Sequence, residues 1–292
     1  MLSMLRGVGD ALAHARLAWV AAALVLNLIG LVITGERWRV VVAALGTRLR
    51  LSRTTLINLA GIFVRNATPT TGLGGDASRI ILLRADGVPL AQATAAFAYV
   101  RLAEVPPIVV TVLLSGQVFA AAVRRSTTAL AVGAAVLGVA LVAVVLNRRR
   151  LAGQISSLWE RTAHLRIDHT AAGLAVFYAT LAQIESLARQ MMAAAACGFS
   201  LSVQQSAAVT ALSILGGFVP TIGSVGAIEG GMVAAFMMCG ADAKTALAIT
   251  ILERLISFGV NTAVGGAALA WLGGLRILRA MNDGRASTAT AG

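Results

Sequence analysis

The chain has 292 residues, of which 58% are hydrophobic and 12% charged, with a formal net charge of +12 and a mean hydropathy of +0.84. So apolar a composition excludes a water-soluble globule and indicates an all-α polytopic membrane protein. The positive excess, carried by 23 Arg and one Lys, reads as a cytoplasmic-loop signal and as affinity for anionic headgroups. These arginines are divided among short loops rather than gathered on one domain, which argues against nucleic acid as a partner.

The first charge-free run, 17–35, is long enough to cross a bilayer, and no small-residue cleavage site closes it, so it is not read as a cleaved signal peptide. The next apolar run is too short. Between Arg53 and Pro69 lie only 15 residues, and 76–86 carries Asp76, Arg79, Arg84 and Asp86. Residues 54–86 therefore read as a re-entrant hairpin that enters, breaks at N-A-T-P-T-T-G-L-G-G-D-A-S-R (66–79) and returns. Residues 88–116 span, with Arg101 and Glu104 inside, and 126–147 form a clean span. The Arg-rich stretch 148–166 reads as an interfacial helix or linker. Residues 170–197 span again, carrying Glu185 and Arg189. Residues 205–240 repeat the hairpin plan around V-P-T-I-G-S-V-G-A-I-E-G-G (219–231). The last span, 245–275, holds Glu253 and Arg254, and a polar tail follows over 276–292, disordered from Asn282. Broken backbone at membrane depth is tolerated only where protein or a water-filled cavity covers it. Both tips, with Pro69, Gly72, Gly74 and Gly75 in one and Pro220, Gly223 and Gly226 in the other, are expected to line a site.

The two hairpins belong to a longer internal correspondence. At an offset of 153, Asp76 pairs with Glu229, Gly87 with Gly240 and Arg101 with Arg254; at 151, Pro69-Thr70 pairs with Pro220-Thr221 and Gly72 with Gly223. A helix carrying Arg37 matches one carrying Arg189. The chain then reads as a single transmembrane domain over 1–292. A first repeat covers 17–116, a connector with one spanning helix 117–166, and a second repeat 167–275. Five Arg in 36–53 and five in 148–166 contrast with the charge-free run 190–228. If the Arg-rich segments are cytoplasmic, the hairpins enter from opposite sides and the N-terminus lies outside despite Arg6 and Arg16. The expected architecture is about five full spanning helices plus two re-entrant hairpins in an inverted repeat, with the substrate near mid-membrane.

A charge at the bilayer centre costs on the order of 2.5–3.5 kcal/mol on insertion scales. Arg101 and Glu104 (i, i+3) and Glu185 and Arg189 (i, i+4) can neutralise themselves as packing pairs. Alternatively they border a polar cavity in which Arg101 and Arg254 face each other and bind an anionic group, with Arg65, Arg79 and Arg189 behind them. Glu253, adjacent to Arg254 and pointing away from it, then needs another partner, Arg101 or Arg189. Asp76 and Glu229 each precede a short helix, where an acid caps or complements the dipole and exposed N–H groups equally receive a phosphate. Exchanging Glu185 with Arg189 is expected to be tolerated by a packing pair and damaging to a cavity. Cys197 and Cys239 have no metal or redox spacing, and His14, His164 and His169 do not cluster, so no metal or cofactor is expected. No nucleophile–base constellation appears, and the chain is not read as an enzyme.

R-W-R (37–39) after a span, the segment 66–79, G-V-P-L-A-Q-A and the helix with Arg101 together resemble the flippase-like transmembrane region of lysylphosphatidylglycerol synthetases. F-V-P-T-I-G-S-V-G-A-I-E-G-G followed by A-L-A-I-T-I-L-E-R is the more specific part, and the resemblance covers roughly 17–275. It implies a multi-pass protein of the bacterial inner membrane that moves a phospholipid or glycolipid between leaflets. Lysyl transfer is not expected, because the chain continues only about 17 residues past the last span. Membrane lipids are the implied partners, with a homo-oligomer or a separate lipid-modifying enzyme as the protein partner. Arg101 and Arg254 are the expected anion contacts, and Glu104, Glu229 and Glu253 balance charge or titrate. The competing reading is a non-transporting accessory scaffold of lipid or cell-envelope synthesis.

Overall fold

The computed structural model describes residues 15–68, 73–125, 167–217 and 225–273, and the described residues form eight helices. We number them α1 (Leu17–Ala44), α2 (Leu51–Ala67), α3 (Leu73–Ala85), α4 (Leu90–Arg125), α5 (His169–Ala196), α6 (Val203–Gly216), α7 (Ala227–Met238) and α8 (Ala243–Trp271). The last is one rod with a π-helical turn, Leu255–Val260, in its middle. Apolar stretches of 28, 32, 28 and 29 residues in α1, α4, α5 and α8 correspond to about 42–48 Å of helix, more than the ~30 Å hydrocarbon thickness. The remaining four helices have 17, 13, 14 and 12 residues, which is about 18–26 Å and short of a crossing.

Helix ends follow the sequence. Asp168 accepts from the Ala171 N–H at 2.7 Å to start α5. Ser202 and Gln205 cap the start of α6 reciprocally. Asp242 starts α8 by accepting from the Thr245 N–H at 3.0 Å. Hydrogen bonds from Thr245 hold that exposed carboxyl below its ordinary range. In α4, Pro106 and Pro107 continue the helix without N–H groups for the carbonyls of Leu102 and Ala103.

α1 and α5 are the most extensively packed pair, and they run antiparallel: the Arg16 N–H donates to the Ala196 carbonyl at 3.0 Å, joining the start of one to the end of the other. Two apolar cores result. One gathers Trp38, Val41, Leu45, Leu82, Leu83, Val88 and Ala93, where α1 ends and α2 and α4 begin. The other gathers Ala23, Ala193, Val209, Met232, Phe236 and Ile249, where α1 begins and α5 ends. The short pair α2–α3 thus opens from the first end and α6–α7 from the opposite one. Each pair leans on a long helix from the other part of the chain: α2 packs on the second half of α8, and α6 on α4. Asn27 Nδ2 donates to Asn261 Oδ1, and Asn66 Nδ2 to Thr262 Oγ1, both at 2.8 Å, so buried amides tie α8 to α1 as well as to α2.

Four of the five spans expected from the sequence have a membrane-length helix; the fifth, 126–147, lies outside the described residues, as do 148–166, the tail and most of both tips. The first span differs from expectation. Residues 36–44 continue α1 instead of forming a loop, because Arg37 is neutralised within the bundle and Glu36 pairs with Arg39 on the helix surface. Residues 117–125, expected in the connector, continue α4.

Close helix contacts depend on small residues. A Cβ on Gly265 would lie 2.5 Å from the Leu59 carbonyl oxygen, whereas one on Gly116 or Gly173 would meet nothing within 4 Å. Gly265→Ala is therefore expected to cost about 1–3 kcal/mol by overpacking α2 against α8. Gly116→Ala gains up to about 1 kcal/mol of helix propensity. Thermal unfolding in detergent measures both, and equal midpoints for the two variants would contradict the packing.

Candidate functional site

The bundle interior holds carboxylates, each of which needs a cation where water is scarce. Asp76, in the first turn of α3, is buried. Arg101 Nη2 donates to both its oxygens, at 2.6 and 2.7 Å, and Arg79 Nη1 donates to Oδ1 at 2.7 Å. Arg79 also donates through Nε to Asn58 Oδ1 at 3.1 Å and lies over Trp38, 5.9 Å from the ring centre. Glu104 accepts from Arg101 Nη1 at 2.9 Å and from Arg37 Nη2 at 2.6 Å. The run Arg79–Asp76–Arg101–Glu104–Arg37 thus ties α3, α4 and α1 together.

A second set lies between α5, α7 and α8. Glu229, one turn into α7, accepts from the Gly226 N–H at 2.6 Å and from Arg254 Nε at 2.6 Å. Gly226, with φ +89°, occupies a conformation closed to most side chains and turns the chain into the helix. Arg254 stacks on Phe258 at 4.6 Å, and its Nη2 is buried without a hydrogen-bond partner among the described residues. Arg189 donates to Glu185 at 2.8 Å and also to Glu253, which accepts from Ser257 Oγ at 3.0 Å. The pairs Asp76–Arg101 and Glu229–Arg254 each join residues 25 apart, from the start of a short helix to a long helix.

These side chains border two cavities. One, of about 450 Å³, is lined by Arg65, Gln190, Thr210, Glu253, Arg254 and Ser257 among others. The other, of about 250 Å³, is lined by Asn58, Arg65, Arg79, Arg101, Glu185 and Arg189 among others. Arg37, Arg65, Glu104 and Ser186 line both, so the cavities share a wall. Arg65 differs from the rest: it is exposed, faces both cavities, and has no carboxylate in ion-pair contact among the described residues. Such a lining can desolvate and hold a polar anionic group. Among the described residues, no cluster of three His, Cys, Asp or Glu is arranged to hold a metal ion.

Arg101, Arg79, Arg189, Glu104 and Asp76 therefore meet around or directly behind the smaller cavity, and Arg254, Glu253 and Glu229 around or behind the larger. Arg189 is the partner of Glu253. Gly74 lies in the first turn of α3 and Gly75 is buried against α2; Pro69, Gly72, Pro220 and Gly223 fall outside the described residues. Arg37 was expected among the Arg-rich residues 36–53 beyond the first span and not at the site, and Asn58, Gln190 and Ser186 had no expected role. The one sequence signal for Arg37 was the match to the Arg189 helix. The proposed exchange of Glu185 with Arg189 loses its discriminating value, because it would set a carboxylate against Glu253 under either reading.

An all-helical chain with four membrane-length helices and an arginine–carboxylate-lined cavity among them is an integral membrane protein. Its residues 2–265 match the family described as the lysylphosphatidylglycerol synthase transmembrane region, and the chain belongs to that family. It is also 26% identical to a UPF0104 membrane protein of Methanothermobacter thermautotrophicus over 302 aligned positions, covering 91% of this chain and 89% of the relative. No solved structure matches it.

Arg189 is buried between two carboxylates, with 8% of its side chain exposed. Arg189→Met strands both and is expected to destabilise by about 3–5 kcal/mol. Combining it with Glu185→Gln and Glu253→Gln should restore most of the loss. Unfolding in mixed micelles gives both values, and no recovery in the triple variant would contradict this pairing.

Proposed function

We propose that this protein moves a phospholipid or glycolipid headgroup between leaflets through the cavity system bounded by its two short helix pairs, while the acyl chains stay in lipid. The observation that carries this reading is the position of the charges. Arg37, Arg101, Glu104, Glu185, Arg189, Glu253 and Arg254 lie well inside four membrane-length helices and line a shared polar space. Charged groups are costly at that depth, and a polar cargo gives a reason to keep them.

In this reading the short pairs are re-entrant hairpins and the two halves form an inverted repeat. The antiparallel packing of α1 on α5, the opposite ends from which the short pairs open, and the matching 25-residue ion pairs support it. Such a design lets one half rock against the other around a fixed site. The bacterial inner membrane is the proposed location, and membrane lipids are the proposed partners. Arg101 and Arg254 hold the starts of α3 and α7, the second helices of the two hairpins, through Asp76 and Glu229, so each governs access from one side as well as facing the headgroup.

One observation favours the accessory-scaffold reading: every cavity carboxylate named above is ion-paired, which suits packing. Translocation separates the two. With purified protein in proteoliposomes, labelled lipids should cross faster than in empty vesicles. Arg101→Gln or Arg254→Gln should reduce the rate to the empty-vesicle level while the protein remains folded. Wild-type rates in both variants would remove these residues from the pathway, and no movement of anionic, zwitterionic or glycosylated lipid by folded protein would favour the scaffold.

A further inference from the structure

We infer that the cavity binds a single phosphodiester monoanion, a lipid headgroup of net charge −1, with Arg65 as its principal ligand and Arg254 Nη2 as a second donor. The inference rests on the cavity being the transport site proposed above. Charge balance is the starting point. Among the described residues, six arginines line the two cavities (Arg37, Arg65, Arg79, Arg101, Arg189 and Arg254). Five carboxylates lie against them: Asp76, Glu104, Glu185, Glu229 and Glu253. Every one of the five is taken by an arginine other than Arg65. One positive charge is left over, and it resides on the one cavity arginine without an ion pair.

Arg65 is anchored at its root. Its Cβ packs against Gly75, where a Cβ on the glycine would come within 2.6 Å of it. That contact fixes the root of the side chain at the junction of α2 and α3. Its charge lies within range of Arg101 and Arg254, both repelling it, and of Asp76 and Glu104, which are already neutralised. An uncompensated cation that faces a cavity lined by other arginines gains most from an anion that enters with it. The buried, unpartnered Nη2 of Arg254, on a guanidinium lining the same larger cavity as Arg65, supplies another unused donor. Guanidinium groups suit phosphate oxygens through paired N–H donors.

The charge class follows from the same balance. A phosphodiester brings one negative charge and neutralises the site. A phosphomonoester, whose second ionisation falls near pH 6, brings close to two and leaves an uncompensated anion. A zwitterionic headgroup carries its own cation among six arginines and restores the original excess.

The test measures binding of radiolabelled dihexanoyl phosphatidylglycerol to the full chain in neutral detergent. Dihexanoyl phosphatidylcholine, dihexanoyl phosphatidic acid and acyl-free glycerophosphoglycerol serve as competitors. Saturable binding is expected, weakened at least tenfold by Arg65→Gln, partly retained by Arg65→Lys and unchanged by Arg84→Gln, a substitution at an exposed position of α3. The choline lipid and the phosphomonoester should each compete at least tenfold less well than the label. Arg65→Gln should unfold no earlier than the parent, since removing a repelled cation relieves the site, whereas Arg79→Gln should unfold earlier. Unchanged affinity in Arg65→Gln, equal competition by phosphatidylcholine, or a loss of stability matching Arg79→Gln would each overturn the inference. Competition by glycerophosphoglycerol as strong as by the lipid would overturn the lipid source, and the transport reading with it. Specific binding without translocation would overturn the transport reading alone, and translocation that survives Arg65→Gln would overturn this inference alone.

Discussion

The requirement that each buried carboxylate meet an arginine organises the rest of the molecule. Asp76 and Glu229 begin short helices, and each is bound by an arginine on a long one. Those two contacts fix where the broken segments sit relative to the spanning helices. Arg189 performs the same service between α5 and α8, as Arg37 does between α1 and α4. In a low-dielectric interior such pairs roughly offset their own desolvation and add little net stability. Their effect is positional: any packing that separates them leaves an unpaired charge, which costs far more than an apolar misfit.

The long helices depart from regular α-geometry close to these arginines. In α4, Pro106 and Pro107 follow Arg101; in α8, the π turn Leu255–Val260 follows Arg254 directly. At the offset that relates Arg101 to Arg254, the two prolines fall opposite Gly259 and Val260, inside that turn. Each disturbance weakens the backbone ladder next to a cavity side chain. A helix with a weakened rung beside a buried charge can bend there with less loss than elsewhere, which suits the proposed transport from two sides.

Much of this was legible in the sequence because hydrocarbon thickness and charge cost are strict filters. The four described spans and the short helices between them follow from run length, and the equal 25-residue spacing of Asp76 to Arg101 and Glu229 to Arg254 can be read along the chain. What was not legible depended on rotation and depth. Arg37 stands just beyond a charge-free run, and only the packing of α1 against α4 and α5 carries that turn of helix inside the bundle. Asn58, Gln190 and Ser186 are ordinary helix residues until a neighbouring helix presents a cavity to them. The same-helix pairs Arg101–Glu104 and Glu185–Arg189 were expected and Arg189 was one of two partners offered for Glu253, whereas the pairings of Arg37 with Glu104, Arg101 with Asp76 and Arg254 with Glu229 depended on the packing of separate helices.

On the proposed repeat the two halves are alike but not equal, and the inequality bears on where the proposed anion would sit. On the proposed repeat, Glu104 corresponds to Ser257 and Val100 to Glu253. The acid of the second half has moved by one helical turn, so it reaches Arg189 and leaves Arg254. Arg101 therefore answers to two carboxylates, while Arg254 answers to one and keeps an unused donor. The larger cavity lies on the Arg254 side, and Arg65 reaches it from the first half. A symmetric placement of that acid would have set a second carboxylate on Arg254, as Glu104 and Asp76 are set on Arg101. Displacing it by one turn leaves the number of charges unchanged but gives Arg189 a second carboxylate and Arg254 only one, on the side with the most space.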